Sequence, residues 1–215
     1  KWFQESVLNA RQYAVGVKDG NAKAVHAVRM LMEAGLEAAD PADPCAVIST
    51  DISNAFNEVG RDAIFQILLD AADGDGPWMD DLPAGQELPV PPLLRKYFTH
   101  FIVKYHTTTT VRYFRHDGTY LDVSCAVGVH QGCPFGTTLF CAALHVSISL
   151  VMTQHPDVEA VAYADNIYLV AALTRAHDAF DALAASMAKN MSLAVSTSQS
   201  YIYLPWHNEA DWQDK

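Results

Sequence analysis

Val161-Ala162-Tyr163-Ala164-Asp165-Asn166 sets a carboxylate on a tight turn between two apolar, strand-like runs. Asp51 ends a second apolar run, Cys45 to Thr50. Carboxylates so far apart in the sequence can meet only if their strands lie side by side in one sheet. Carboxylates paired in this way hold divalent metals for phosphoryl transfer. We therefore predict a metal site containing Asp51 and Asp165, the structural alternative being two turn-capping aspartates.

The rest of the chain reads as helices alternating with hairpins. Helices are predicted at 21–35, 55–71, 93–105, 135–152 and 173–187, hairpins at 107–127 and 158–171, and a last strand at 200–204. The first hairpin turns at Asp117-Gly118, and the second carries Asp165 and Asn166 at its tip. An acidic stretch rich in Gly and Pro, 73–92, is predicted to be a surface insertion. This order predicts an α+β fold, a mainly antiparallel sheet backed by helices.

Composition indicates a globular chain, since 50% of its 215 residues are hydrophobic and only 18% are charged. The apolar stretch 135–152 approaches membrane-span length, but its polar residues and its position after a turn predict a helix buried inside the domain, with no membrane partner. The four cysteines show no paired C-x-x-C spacing and are predicted to be reduced core thiols. Together with the absence of a secretory pattern in the first residues, they predict an intracellular protein.

The charge balance argues against a free-standing nucleic-acid binder. Acidic residues outnumber basic ones 25 to 14, for a net charge of −11. Proteins that bind nucleic acids are usually basic, because neutralising phosphates supplies most of their affinity. Either the basic surface lies in parts of the protein that this chain lacks, or the chain does not hold nucleic acid tightly.

Three segments, in order, resemble the reverse transcriptases of non-LTR (LINE-type) retrotransposons. The segment from Asp51 to Asn57 resembles the first catalytic motif of that family, an Asp followed five residues later by an aromatic. The segment from Gly128 to Gly136 resembles its template- and nucleotide-contacting motif, and Tyr163-Ala164-Asp165-Asn166 resembles its Tyr-Ala-Asp-Asp box. Upstream, Gln12 to Val17 resembles the family's Gln-Phe-Gly-Phe segment, although a strand entering a helix explains it equally well. The likeness extends from about Arg11 to Leu204.

The resemblance implies the palm of an RNA-directed DNA polymerase, with part of the fingers. It divides the chain into a partial fingers segment (1–40), a palm (41–204) and a tail (205–215). The implied partners are an RNA template, a DNA primer, deoxynucleoside triphosphates and other domains of a larger polyprotein. The implied location is the nucleus.

By the same resemblance, Asp51, Asp165 and Asn166 form the catalytic set. Asp51 and Asp165 would bridge two Mg²⁺ ions, for which Mn²⁺ can substitute. The two ions would lie about 3.5–4 Å apart, as in other two-metal sites. Phe56 would be the steric gate that excludes ribonucleotides, its alternative being a core Phe at a helix start. The remaining implied contacts to nucleotide, template or primer end are Gln131, Gly132 and Tyr163.

Three positions depart from the family pattern. Asn166 stands where the family has a second Asp, His130 where it usually has Arg, and Gln199 where a Lys is common. Each change removes a charge, so the active site is predicted to be degenerate. The alternative function is a catalytically inactive palm-like module that holds a partner in a larger assembly. For an unrelated α+β enzyme we find no Ser-His, Cys-His or Gly-rich phosphate constellation.

Overall fold

The computed structural model describes residues 11–38, 40, 42–73, 101–130, 133 and 135–205, excepting the side chains of 67 and 70–73. The helices are α1 (Gly20–Ala38), α2 (Ala55–Glu58), α3 (Arg61–Asp73), α4 (Gly136–Gln154) and α5 (Leu173–Met191). The strands are β1 (Cys45–Thr50), β2 (Thr109–Phe114), β3 (Tyr120–Cys125), β4 (Glu159–Tyr163), β5 (Asn166–Ala172) and β6 (Tyr201–Tyr203). Residues 101–105 are also helical.

The main sheet has four strands in the order β4-β5-β1-β6, and every neighbouring pair is antiparallel. Strands β1 and β5 pair from Cys45 opposite Ala172 to Thr50 opposite Ile167. This confirms the predicted mainly antiparallel α+β fold, and it makes the strand that precedes Asp51 the direct neighbour of the strand that follows Asp165.

Helices cover both faces of this sheet. Helix α1 packs over the beginning of β1, where its apolar side chains cover Cys45, Val47 and Val170. The opposite face, with Ile48 and Leu169, joins the main core formed with α3, α4 and α5. Because successive side chains of a strand point to opposite faces, Cys45 and Val47 belong to one face of β1 and Ile48 to the other.

Helix α4 is the core helix. It is long and apolar enough to cross a membrane, yet most of its side chains are buried by the rest of the domain. A helix with apolar residues all round is expected at the centre of a protein as much as in a membrane. The protein packed around it matches the predicted buried helix.

The predicted single helix over 55–71 is wrong, because the chain breaks between α2 and α3. Val59 has extended backbone (φ −52°, ψ 127°), and its carbonyl accepts a hydrogen bond from the amide of Gly128. The amide of Gly60 donates to Met191 at the end of α5. Contacts with two remote segments therefore outweigh continuation of the helix.

Two further element boundaries differ from the predictions. Gly35 does not end α1, which runs on to Ala38; the glycine instead lies against Cys45 of β1, where a Cβ would come within 2.6 Å of its sulfur. Asn166 is the first residue of β5 and not part of the turn. Of the cysteines, Cys45 and Cys141 are buried, whereas Cys125 and Cys133 are half-buried, so only two are core residues.

Strands β2 and β3 form a separate two-stranded ribbon, as the Asp117-Gly118 turn predicted. The insertion predicted at 73–92 and most of the helix predicted at 93–105 lie outside the described residues.

Candidate active site

The two sequence-predicted carboxylates lie at the same end of the sheet. Continuing the β1–β5 register by one residue places Asp51 opposite Asn166. Strands β4 and β5 are joined by a two-residue turn, Ala164-Asp165, and Tyr163 pairs directly with Asn166. The alternation of side chains places Asp51, Tyr163 and Asn166 on one face of the sheet, beside the turn that carries Asp165.

The two carboxylates are close enough to interact electrostatically. The pKa of Asp165 is raised above its ordinary value, first by burial, which disfavours the charged form, and further by the negative charge of Asp51. The buried thiol of Cys141 on α4 also lies in the field of Asp165, and burial with that charge raises its pKa to about 12. The site thus concentrates negative charge in a partly desolvated place, which a bound cation would relieve.

A serine-rich turn holds the backbone of Asp51. Its amide donates to the hydroxyl of Ser200 (3.2 Å), and its carbonyl accepts from the amide of Ser196 (2.8 Å). The Ser200 hydroxyl donates in turn to the Ser196 carbonyl (2.8 Å). In the sequence, this turn is notable only for Gln199, which stands where the resembled family commonly has a Lys. In the structure its serines position Asp51, and no local sequence pattern announces that role.

Gln12, near the beginning of the described chain, holds the backbone of the residue that precedes Asp165. Its amide contacts both the N–H and the C=O of Ala164. The sequence offered Gln12 only as part of a Gln-Phe-Gly-Phe-like segment.

The loop that leads to Gln131 and Gly132 is anchored on its N-terminal side, although these two residues themselves lie outside the described part of the chain. Gly128 donates to Val59 (2.9 Å), and the next amide, of Val129, donates to Phe56 (2.7 Å). Gly128 has φ 75°, a conformation that favours glycine. A Cβ here would lie 2.2 Å from the carbonyl oxygen of Asn57. Only glycine therefore lets this loop lie against α2.

His130 is turned into the protein, against β2 and the helical segment 101–105. Its Nε2 lies 3.0 Å from the hydroxyl of Thr109, and its amide donates to the hydroxyl of Tyr105 (3.2 Å). Burial, and then the charges of Arg61 and Lys104, lower the pKa of His130. The imidazole is therefore neutral at pH 7 and does not supply the positive charge of the arginine usual in the family.

Tyr105 is the buried centre of these contacts. Burial and a hydrogen bond with the Cys133 side chain raise its pKa to about 12, so the hydroxyl keeps its proton at any physiological pH. The guanidinium of Arg61 lies 5.2 Å from the centre of its ring and donates through Nε to the Gly128 carbonyl. Tyr105 and Arg61 thus fix both sides of the segment that ends at His130.

Phe56 lies in α2 with its ring half-buried. It packs on Phe140 of α4, with ring centroids 4.6 Å apart. The packing agrees with a core role, while the predicted steric gate depends on a bound nucleotide and stays a prediction. Tyr163 is half-buried at the end of β4, on the same face of the sheet as Asp51 and Asn166.

The donor set suits a hard cation that shares its coordination with substrate. Two carboxylates and the amide oxygen of Asn166 are oxygen ligands, which Mg²⁺ prefers while keeping several positions for water and phosphates. Within the described ranges, no group of three or more His, Cys, Asp or Glu side chains could hold a metal. The three side chains offer oxygen donors only, with one carboxylate fewer than a fully acidic triad.

A cavity of about 580 Å³ lies at the far end of β1, lined by Cys45, Asp43, Asp157 and Glu159 among others. Its acids already have partners. Asp43 accepts from the amide and hydroxyl of Thr174, Asp157 pairs with Arg175 (3.3 Å), and Glu159 pairs with Arg11 (3.7 Å). The cavity lies at the opposite end of β1 from Asp51 and is separate from the Asp51–Asp165 site. All three of these carboxylates are paired.

Comparisons with known proteins place the fold. No protein-family model matches the chain, and no curated protein matches it. Apo telomerase from Candida tropicalis truncated from its C-terminal domain is similar, with TM-score 0.60 and 11% identity over 97% of this chain and 39% of that one. A second apo telomerase from Candida tropicalis is similar with TM-score 0.61 and 10% identity over 95% of this chain and 35% of that one. Telomerase from Candida albicans, in complex with a TWJ fragment of telomeric RNA, is similar with TM-score 0.59 and 10% identity over 94% of this chain and 33% of that one.

Telomerase is a reverse transcriptase, so the chain has a reverse-transcriptase-like fold. The chain spans less than two-fifths of the length of these structures. At such identities the likeness concerns the fold alone. It does not single out the non-LTR lineage that the sequence motifs suggested.

Proposed function

We propose that this chain is the palm region of an RNA-directed DNA polymerase, performing template-directed nucleotidyl transfer as part of a larger protein. The observation that carries the proposal is the meeting of Asp51 and Asp165 at one end of the sheet, close enough for the charge of one to raise the pKa of the other. The reverse-transcriptase-like fold that the chain shares with telomerase chains supports it.

In this proposal, Asp51 and Asp165 hold Mg²⁺ or Mn²⁺, with Asn166 as a weaker oxygen ligand. Bound divalent ions would activate the primer hydroxyl and neutralise charge on the leaving pyrophosphate. The contribution of the chain is rigidity: the Ser196–Ser200 turn holds the Asp51 backbone, and the β4–β5 turn holds Asp165. Both carboxylates are thus directed by backbone hydrogen bonds that need no bound substrate.

The remaining proposed roles concern the nucleic acid and nucleotide. Phe56 would limit the space beside the sugar, Tyr163 would support the primer end, and Gln131 and Gly132 would approach nucleotide and template. The anchoring of Gly128 to α2 supports the last assignment, because it fixes the start of that loop. An RNA template, a DNA primer, deoxynucleotides and a nuclear location belong to the same proposal, as does origin in a non-LTR retroelement.

A second candidate is a catalytically inactive palm-like module that binds a partner in a larger assembly. The observation that favours it is Asn166, which stands directly opposite Asp51 and lacks the negative charge of a third carboxylate. The neutral His130 points the same way.

Metal binding followed by primer extension tests the proposal. Mn²⁺ is titrated into the chain and followed by electron paramagnetic resonance, with Asp51→Ala as the site variant and Asp178→Ala, an exposed aspartate on α5, as the control. We expect the site variant to lose binding and the control to keep it. Equal binding by both variants, or none by the native chain, would contradict the metal site.

Extension of a DNA primer on an RNA template then separates the two functions. The native chain, Asn166→Asp, and Asn166→Asp combined with Asp51→Ala are compared in Mg²⁺. Activity in the native chain supports the polymerase. Activity only in Asn166→Asp, lost with Asp51→Ala, identifies a decayed site on an intact palm and favours the second candidate.

A further inference from the structure

Gln12 is a buried polar residue that lies far along the sequence from Asp51 and Asp165 but, in the fold, beside the turn that carries Asp165. Its side chain is almost fully buried, at 2% exposure for the residue. Its Oε1 accepts from the amide of Ala164 (2.9 Å) and from that of Ala14 (3.0 Å), and its Nε2 donates to the carbonyl of Ala164 (3.2 Å). One side chain thus holds both backbone groups of the residue that precedes Asp165.

Ala164 is the residue of the turn that needs such support. It has φ 54°, in the left-handed region, which is sterically unfavourable for an L-residue. Glycine, the residue usual at such positions, is absent from this turn. A strained backbone persists only where its surroundings over-determine it, and strain of this kind clusters at functional sites.

The backbone of Gln12 and Tyr13 also pairs with β4, which supports the contact between Gln12 and Ala164. The amide of Tyr13 donates to the carbonyl of Ala162 (2.8 Å), and Gln12 forms a parallel bridge with the same residue of β4. The segment therefore lies along the outer edge of β4. The Gln12 amide is fixed in place by main-chain pairing and not only by its own side-chain bonds.

We propose that Gln12 is a positioning residue, which holds Ala164 in its left-handed conformation and thereby directs the Asp165 carboxylate toward Asp51. The proposal rests on the proposed function in one respect, because it assigns this positioning to divalent-metal binding. Gln12 touches neither metal nor substrate in this account. It acts through the turn.

The test combines loss of the clamp with removal of the strain. Gln12→Met keeps most of the side-chain volume and removes the hydrogen bonds to Ala164. Combining it with Ala164→Gly supplies a residue that adopts the same φ without steric cost, so the turn no longer needs the clamp. Ile64→Val, at a buried position of α3, is the control for a general loss of stability, because it removes a core methyl group far from the turn.

Mn²⁺ affinity, measured on the full chain, is the first readout. We expect Gln12→Met to raise the Mn²⁺ dissociation constant about 10-fold or more, as removal of an outer-shell partner typically does. The double variant should recover most of that loss, and Ile64→Val should bind as the native chain does. A double variant as weak as Gln12→Met, or a control that loses as much, would overturn the positioning role.

The amide resonances of Asp165 and Asn166, followed by NMR without metal, are the second readout. They should shift in Gln12→Met and return toward native positions in the double variant. If the native chain binds no Mn²⁺, the proposed function fails, and these resonances still decide about Gln12. Resonances that stay in place in Gln12→Met refute the inference.

Discussion

Gly128→Ala is the substitution for which the structure predicts the clearest loss of stability. Gly128 has φ 75°, and an added Cβ would lie 2.2 Å from the backbone oxygen of Asn57 and 2.4 Å from its carbonyl carbon. Such distances cannot be accommodated by rotating a side chain, because the obstacle is the main chain of α2. Either the loop or the helix must move.

The cost has two parts. The left-handed conformation costs alanine about 1–2 kcal/mol. Moving the loop weakens two main-chain hydrogen bonds, from Gly128 to Val59 and from Val129 to Phe56, each worth about 0.5–1.5 kcal/mol. Together these predict a loss of about 2–5 kcal/mol in the free energy of unfolding, a large share of the 5–15 kcal/mol typical of a domain.

Gly118→Ala is the matched control, since Gly118 also has positive φ (81°) but nothing within 4 Å of an added Cβ. It should cost only the conformational part, about 1–2 kcal/mol. Urea unfolding followed by circular dichroism measures both variants. The difference between them isolates the close approach of the loop to α2, and equal losses in the two variants would refute this account of the loop.

Three further predictions concern ionisable and buried polar groups. Asp165→Asn should raise the stability of the metal-free chain at pH 7 and abolish its stabilisation by Mg²⁺. Because the pKa of Asp165 is raised in the folded state, the gain in stability should disappear as the pH falls below the ordinary pKa of Asp. Urea titrations at several pH values will measure both effects. His145, buried in α4 beside Ser149 and in the field of Arg11, has its pKa lowered to about 4; the folded state therefore resists protonation, and stability should fall by about 3 kcal/mol from pH 6.5 to 4, a fall that His145→Leu should lack. Tyr105→Phe should cost about 1–3 kcal/mol in urea unfolding, because it leaves the partly buried amide of His130 without its acceptor; an unchanged midpoint would show that the hydroxyl is dispensable.

The site was predictable where local patterns carried it and not elsewhere. Asp51 and Asp165 could be found because each follows or interrupts an apolar strand, and a pair of strand ends has few ways to meet. The break between α2 and α3 could not be found, because Val59 and Gly60 bond to Gly128 and Met191, which are remote in the sequence. A helical pattern in the sequence contains no information about such partners.

The meaning of individual departures also changed with the structure. Gln199 drew attention in the sequence as a missing lysine, while the neighbouring serines proved to hold the backbone of Asp51. His130 stands where the resembled family usually has an arginine, and in the structure its imidazole is bonded to Thr109 and burial lowers its pKa. In both cases, the difference from the resembled family is visible in the sequence, but the contacts made around the residue are visible only in the structure.

Local sequence patterns indicate the order of strands and helices, the fold class and the two carboxylates, because side-chain periodicity and turn residues act within a few positions of the chain. How those carboxylates are held depends on long-range contacts. Gln12 reaches Ala164 across 152 positions, and Ser200 reaches Asp51 across 149. Such pairings depend on which strand lies beside which, and that arrangement exists only once the core has formed around α4.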